Sequence, residues 1–119
     1  MANILVVDDS PTEMKLMLDA LRSTPHQIFT ATDGEEALKQ AEKLSPDLML
    51  LDVILPKKNG FQVCRSLKTA PATEAIKIIL VTSKTQDSDR FWGLKQGADD
   101  YLGKPFDESE LLSLVAKYT

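Results

Sequence analysis

Cysteine, histidine and tryptophan each occur once in this 119-residue chain, and no apolar run approaches the length of a membrane span. The lone Cys64 has no partner for an internal disulfide and belongs to no metal or redox motif, so it reads as a helix core residue in a protein suited to a reducing compartment. His26, with no neighbouring ligand, reads as a surface residue. Basic excess is missing too. Fourteen Lys and Arg face 18 Asp and Glu, a net charge of -4, which argues against nucleic acid as a primary ligand because backbone binding needs clustered cations. Met1 is followed within three residues by a strand pattern, with neither a basic leader nor a signal-length apolar stretch, so the expectation is a cytoplasmic protein without membrane insertion. No linker, repeat or low-complexity tract divides the chain, and residues 1–119 are expected to form one domain with no effector domain attached.

What is present is an alternation of short apolar runs with helix-period segments, the pattern of an α/β domain around a parallel sheet. Ile4 to Val7 is the first strand. Ser10-Pro11-Thr12-Glu13 then reads as an N-cap, a proline at the first helical position and a capping-box acid, followed by Met14, Met17, Leu18 and Leu21 on one face. Gln27 to Ala31 is a weaker strand placed at an edge, and Asp33 caps a helix that turns Ala37, Leu38, Ala41 and Leu44 inward. The unbroken run Leu48 to Leu51 fits a strand covered on both faces. It ends in Asp52, which should sit in a loop mouth with little to bury it, before Pro56 and the Asn59-Gly60 turn into a helix over Gly60 to Lys68 with Phe61, Cys64 and Leu67 inward. Ile76 to Val81 is the fourth strand. A helix from Asp87 to Gln96 should turn Phe91, Leu94 and Ala98 to the core and leave Trp92 off that stripe, with Gly97 as its left-handed cap. Asp99 to Leu102 is the last strand, and Asp107 to Glu110 caps a helix carrying Leu111, Leu112, Val115 and Tyr118.

The ends of these strands share a chemistry. Asp8 and Asp9 follow the first, Asp52 the third, Thr82 the fourth, and Lys104-Pro105 lies just past Tyr101 in the fifth. Singly, each has a plain reading: an acidic pair before a helix as a cap, a threonine as a strand-end cap, a lysine as a solvated charge, a tyrosine as a strand aromatic. Together, in this order, the sequence resembles the response-regulator receiver domain, the CheY-like phosphoacceptor of bacterial two-component signalling. The resemblance runs from Asn3 to nearly Thr119 and implies a doubly wound (βα)5 fold with strand order 2-1-3-4-5.

The resemblance also implies roles. Asp52 would be the nucleophile, modified to 4-aspartylphosphate. Asp9 and Asp52 would hold Mg2+ or Mn2+ directly, with Asp8 acting through a metal-bound water and Ile54 giving its backbone carbonyl. Lys104 would pair with a phosphoryl oxygen and Thr82 would donate a hydroxyl to another. The peptide before Pro105 would be cis, and Tyr101 would turn inward as Thr82 is drawn to the phosphate. Such a chain is a switch that catalyses only its own phosphorylation and dephosphorylation. Its partners would be a sensor histidine kinase or its phosphotransfer domain and a downstream protein meeting the fourth helix, fifth strand and fifth helix, where Trp92 reads either as a partner anchor or as a half-buried packing residue.

The segments Asp9 to Glu13 and Trp92 to Ala98 look most like the pilus-type chemosensory receivers of twitching motility, the PilH-like group. Leu55 replaces a commoner methionine, a volume-conserving change, and Gly103 before Lys104 is less usual. Two residues past Asp52 and Thr82, Ile54 and Lys84 would flank the path of water to the phosphoryl group, and neither positions a nucleophile well. A flavodoxin-like carrier would need a Ser, Thr and Gly-rich phosphate loop where Asp8-Asp9 stands. A haloacid-dehalogenase-type phosphatase would need an acid at Ile54.

Overall fold

The computed structural model describes residues 1–119, with five strands and five helices alternating along the chain. They are β1 Asn3–Val7, α1 Pro11–Leu21, β2 Gln27–Ala31, α2 Gly34–Leu44, β3 Leu48–Leu51, α3 Gly60–Lys68, β4 Lys77–Thr82, α4 Asp87–Lys95, β5 Asp100–Gly103 and α5 Glu108–Tyr118. The strands form one parallel sheet in the order β2-β1-β3-β4-β5, as expected.

Alternating side chains of each strand feed two cores. Leu5, Val7, Met49, Leu51, Ile78 and Leu80 meet Ala37 and Ala41 of α2 and Val63, Cys64 and Leu67 of α3. On the other face Ile4, Val6, Leu48, Leu50, Ile79 and Val81 meet Met17, Ala20 and Leu21 of α1 and Leu111 and Val115 of α5. Helices on both faces explain why β3 reads as continuous Leu-Met-Leu-Leu instead of alternating with polar residues. Burial pushes the Cys64 thiol up to about 12, so it behaves as a small core side chain. His26 is half-buried, and its Nδ1 accepts the Ala2 N–H at 2.9 Å, which fastens the start of the chain to β2.

The chain leaves β1 towards β2 and later crosses back over β1 to β3, so the topology reverses between β1 and β3. A parallel sheet opens a crevice at the C-terminal ends of its strands at such a point. Asp8 follows β1 and Asp52 follows β3, and their strands are in register as Val7 beside Leu51.

The expected inward stripe of α4 is a correction. Phe91 is 62% exposed and Leu94 53%, while Gly93 is the residue that packs. A Cβ on Gly93 would stand 2.8 Å from Leu80 Cδ1 and 2.9 Å from Tyr101 Cε2, so α4 meets the sheet through bare backbone. Phe91, Trp92 and Leu94 then remain in solvent, and only Ala98 of the expected set is buried. The fourth and fifth strands each begin and end one residue later than read from the sequence. Asp99 belongs to the preceding turn, because its Oδ2 accepts the Ile78 N–H and the Lys68 ammonium, each at 2.8 Å.

Candidate functional site

Three strand ends and one cis peptide build a single acidic cleft. Asp8, Asp9 and Asp52 place carboxylate oxygens all within 4.8 Å of one another. Asp8 is buried and held on one side by the Ser10 N–H, 2.9 Å from its Oδ1. Asp9 points to solvent at the cleft wall. Asp52 is 7% exposed, which corrects the open loop mouth read from the sequence. Its own loop covers it: Ile54 N–H donates to Asp52 Oδ1 at 3.2 Å, and Gly60 N–H donates to Val53 O at 2.8 Å, folding the turn back on itself.

Gly60 makes that fold-back possible. A Cβ there would lie 2.1 Å from the Asp52 carbonyl oxygen, a collision with backbone. Gly60→Ala is therefore expected to cost about 1–3 kcal/mol and to shift the Ile54 amide resonance, measured by urea unfolding and amide NMR. Unchanged stability with an unmoved Ile54 amide would count against this account of how Asp52 is held.

Lys104 ties the cleft together. Its backbone N–H donates to Thr82 O at 2.9 Å, and the following peptide to Pro105 is cis, as expected. Its ammonium donates to Asp8 Oδ2 at 2.5 Å and Asp52 Oδ2 at 3.1 Å, and lies 4.0 Å from Glu13 Oε2. Burial alone would lower the Lys104 ammonium, but the hydrogen bond to Asp8 and the charges of Asp52 and Asp8 more than offset it, so its pKa is raised. Burial raises the Asp8 carboxyl, and the Lys104 and Ser10 hydrogen bonds only partly oppose that rise. The two rises differ in origin: neighbouring carboxylates raise Lys104, whereas burial raises Asp8.

Thr82 is fully buried, with its Oγ1 accepting the Lys84 N–H at 3.3 Å. Tyr101 is buried with its ring turned inward, and its hydroxyl donates to Lys84 O at 2.6 Å. The backbone of Lys84 thus joins the hydroxyls of Thr82 and Tyr101. The Ile54 side chain is exposed, and Ile54 lines the cleft with Asp9, Ser10, Glu13, Asp52, Ser83, Lys104 and Pro105.

The cluster fits a hard divalent cation: oxygen donors at mutual reach, two of them anchored by hydrogen bonds and one facing the open cleft. Comparison with known proteins agrees with the geometry. The model of the response regulator receiver domain matches residues 4–116. The chain belongs to that family. This receiver is 45% identical over 115 residues to Protein PilH of Pseudomonas aeruginosa, covering 97% of the chain and 95% of that protein. It is 42% identical over 118 residues to Response regulator PleD of Caulobacter vibrioides but spans only 26% of that longer protein. Among solved structures, the receiver domain of a sensor histidine kinase from Pseudomonas aeruginosa superposes with a TM-score of 0.90 at 30% identity, covering 98% of this chain and 96% of that one. That structure holds a magnesium ion in its active-site cleft.

Reading strand ends singled out Asp8, Asp9, Asp52, Thr82, Tyr101 and Lys104, the family resemblance added Ile54, and the fold brings all seven to one end of the sheet. It missed Glu13, Ser83 and Arg90. Glu13 was assigned to a capping box that is only half made: Ser10 Oγ accepts the Glu13 N–H at 3.3 Å, but the Ser10 N–H goes to Asp8. Two features of the sequence pointed to Glu13: its place one helical turn past Asp9, and the rival acceptor at Asp8. Arg90 lies over the Tyr101 ring, 5.2 Å from the centroid, a contact between elements that no local pattern marks.

Proposed function

We propose that Asp52 accepts a phosphoryl group from the phosphohistidine of a sensor kinase or its phosphotransfer domain. The observation that carries this reading is the Asp52 carboxylate, buried yet reached from the cleft, 3.1 Å from the Lys104 ammonium and beside the carboxylates of Asp8 and Asp9. A carboxylate oxygen of Asp52 attacks phosphorus, the phosphorus–nitrogen bond breaks, and the histidine nitrogen keeps the electron pair. Lys104 transfers its hydrogen bond from the Asp52 carboxylate to a phosphoryl oxygen, and Thr82 turns its hydroxyl from the Lys84 amide to another. Mg2+ held by Asp9, Asp52 and the Ile54 carbonyl, with Asp8 behind a bound water, would neutralise the charge that gathers on the transferred group.

Moving Thr82 releases one side of the Lys84 backbone, and Tyr101 hydrogen-bonds the other, so the event is passed to the face formed by α4, β5 and α5. Exposed Phe91, Trp92 and Leu94 of α4 offer a protein partner apolar area, with Trp92, beside Phe61 and Arg65 of α3, as an anchor. The chain works as a receiver domain, in the cytoplasm and apart from nucleic acid. It is a phosphoacceptor switch and turns over no other substrate. Its likeness to PilH over nearly its whole length supports a place in chemosensory control of pilus-based motility. Following labelled phosphoryl from a panel of phosphorylated histidine kinases to this chain tests the reading, and failure of every donor to transfer would remove it.

The lifetime of the phosphoryl group follows from the residues two past Asp52 and Thr82, Ile54 in the cleft wall and Lys84 outside it. Ile54 makes no hydrogen bond to water with its side chain, and exposed Lys84 offers only donors. Slow self-dephosphorylation relative to flagellar chemotaxis receivers is expected, on the order of tenfold slower than in a variant with a side chain that orients water. Ile54→Asn combined with Lys84→Glu measures it, and a double variant no faster than the parent would refute the point.

A further inference from the structure

Glu13 stands at the third position of α1, where a carboxylate would ordinarily reach back to the N-cap amide. That amide is taken by Asp8, and the freed Glu13 side chain turns to the cleft, 4.0 Å from Lys104. The ammonium is already engaged by Asp8 and Asp52 at shorter distances, so it leaves the Glu13 charge largely uncompensated. No other Lys or Arg lines the cleft. Asp8, Asp52 and Glu13 therefore lie within 4.0 Å of one ammonium, with Asp9 beside the first two, at the mouth through which a donor must come.

We infer that Glu13 is a positioning and selectivity residue of this site: its charge draws the divalent cation in and holds off small anionic phosphoryl donors. The inference rests on the reading of Asp52 as the acceptor, and deepens it. A side chain that merely supported α1 would, on replacement, weaken cation binding and phosphorylation alike. A charge acting through space moves them in opposite directions, since cation and donor carry opposite signs.

Glu13→Gln keeps the length and helix propensity of the side chain and removes the charge. With the full chain at low ionic strength, Mg2+ affinity by calorimetry should fall about threefold, while the rate of phosphorylation by acetyl phosphate at saturating Mg2+ should rise about threefold. Both differences should close in about 1 M salt, where the screening length shrinks to roughly 3 Å. Glu13→Lys should move each quantity further in the same direction. A fall in both, a change in neither, or differences that survive high salt would overturn the inference. If the parent takes no label at all, the acceptor reading fails instead, and an Mg2+ affinity unaltered by Glu13→Gln would then overturn the role of Glu13.

Discussion

With acetyl phosphate and Mg2+ the parent chain is expected to gain one phosphoryl group, and Asp52→Asn none. Asparagine keeps the shape of the side chain, and its amide oxygen still accepts the Ile54 N–H that Asp52 Oδ1 receives at 3.2 Å. What it loses is the proposed nucleophile: an uncharged amide oxygen attacks phosphorus poorly and yields no stable ester. No other carboxylate of the cleft substitutes. Asp8 is buried with both oxygens occupied, by the Ser10 N–H and Lys104, and Asp9 is exposed and makes no hydrogen bond to the lysine. Removing one of several crowded negative charges should leave stability equal to or above that of the parent, which separates loss of chemistry from loss of fold. Intact-protein mass spectrometry reads the gain, and hydroxylamine distinguishes an acyl phosphate, which it cleaves, from a phosphoserine, which it does not. Label retained in Asp52→Asn, in either chemical form, would sink the assignment of the acceptor.

The architecture was legible because each strand ends in something its interior lacks. Val7 gives way to Asp8 and Leu51 to Asp52, and parallel strands in register bring such ends to one edge whatever the intervening helices contain. The burial of Asp52 was not legible. It depends on Lys104, 52 positions away, and on the close approach of Gly60 to the Asp52 carbonyl, and neither appears in a local window. The inner face of α4 was misread for a related reason. Apolar periodicity reports the core face only where side chains make the contact, and here Gly93 makes it against Leu80 and Tyr101. Phe91, Trp92 and Leu94 of α4 are thus left exposed, and the misreading falls on residues the proposed function needs in solvent.

Mg2+ should raise the melting temperature of the chain, and Asp9→Ala should remove most of that rise. Asp8, Asp9 and Asp52 hold their oxygens within 4.8 Å, with one ammonium to offset them, so the folded state carries a repulsion that the unfolded chain relaxes. Burial of Asp8 adds to that cost and raises its pKa, because it favours the protonated carboxyl in the fold. A folded pKa above the unfolded one contributes stability fully present below the unfolded pKa and lost as pH rises through the folded value, so at neutral pH charged Asp8 is a net cost. A divalent ion that binds only the folded cluster recovers it. At ten times its dissociation constant the gain is about 1.4 kcal/mol, or a shift of roughly 5 °C for a domain of this size. Asp9→Ala leaves the cleft without its solvent-facing carboxylate and should reduce the shift to about 1 °C. The rise should also shrink as pH falls through the raised Asp8 pKa, because protons then compete for the oxygens Mg2+ needs. Differential scanning fluorimetry with Mg2+ against NaCl of matched ionic strength decides it. An equal rise in parent and Asp9→Ala, or a rise reproduced by NaCl, would show that the ion acts elsewhere than at this cluster.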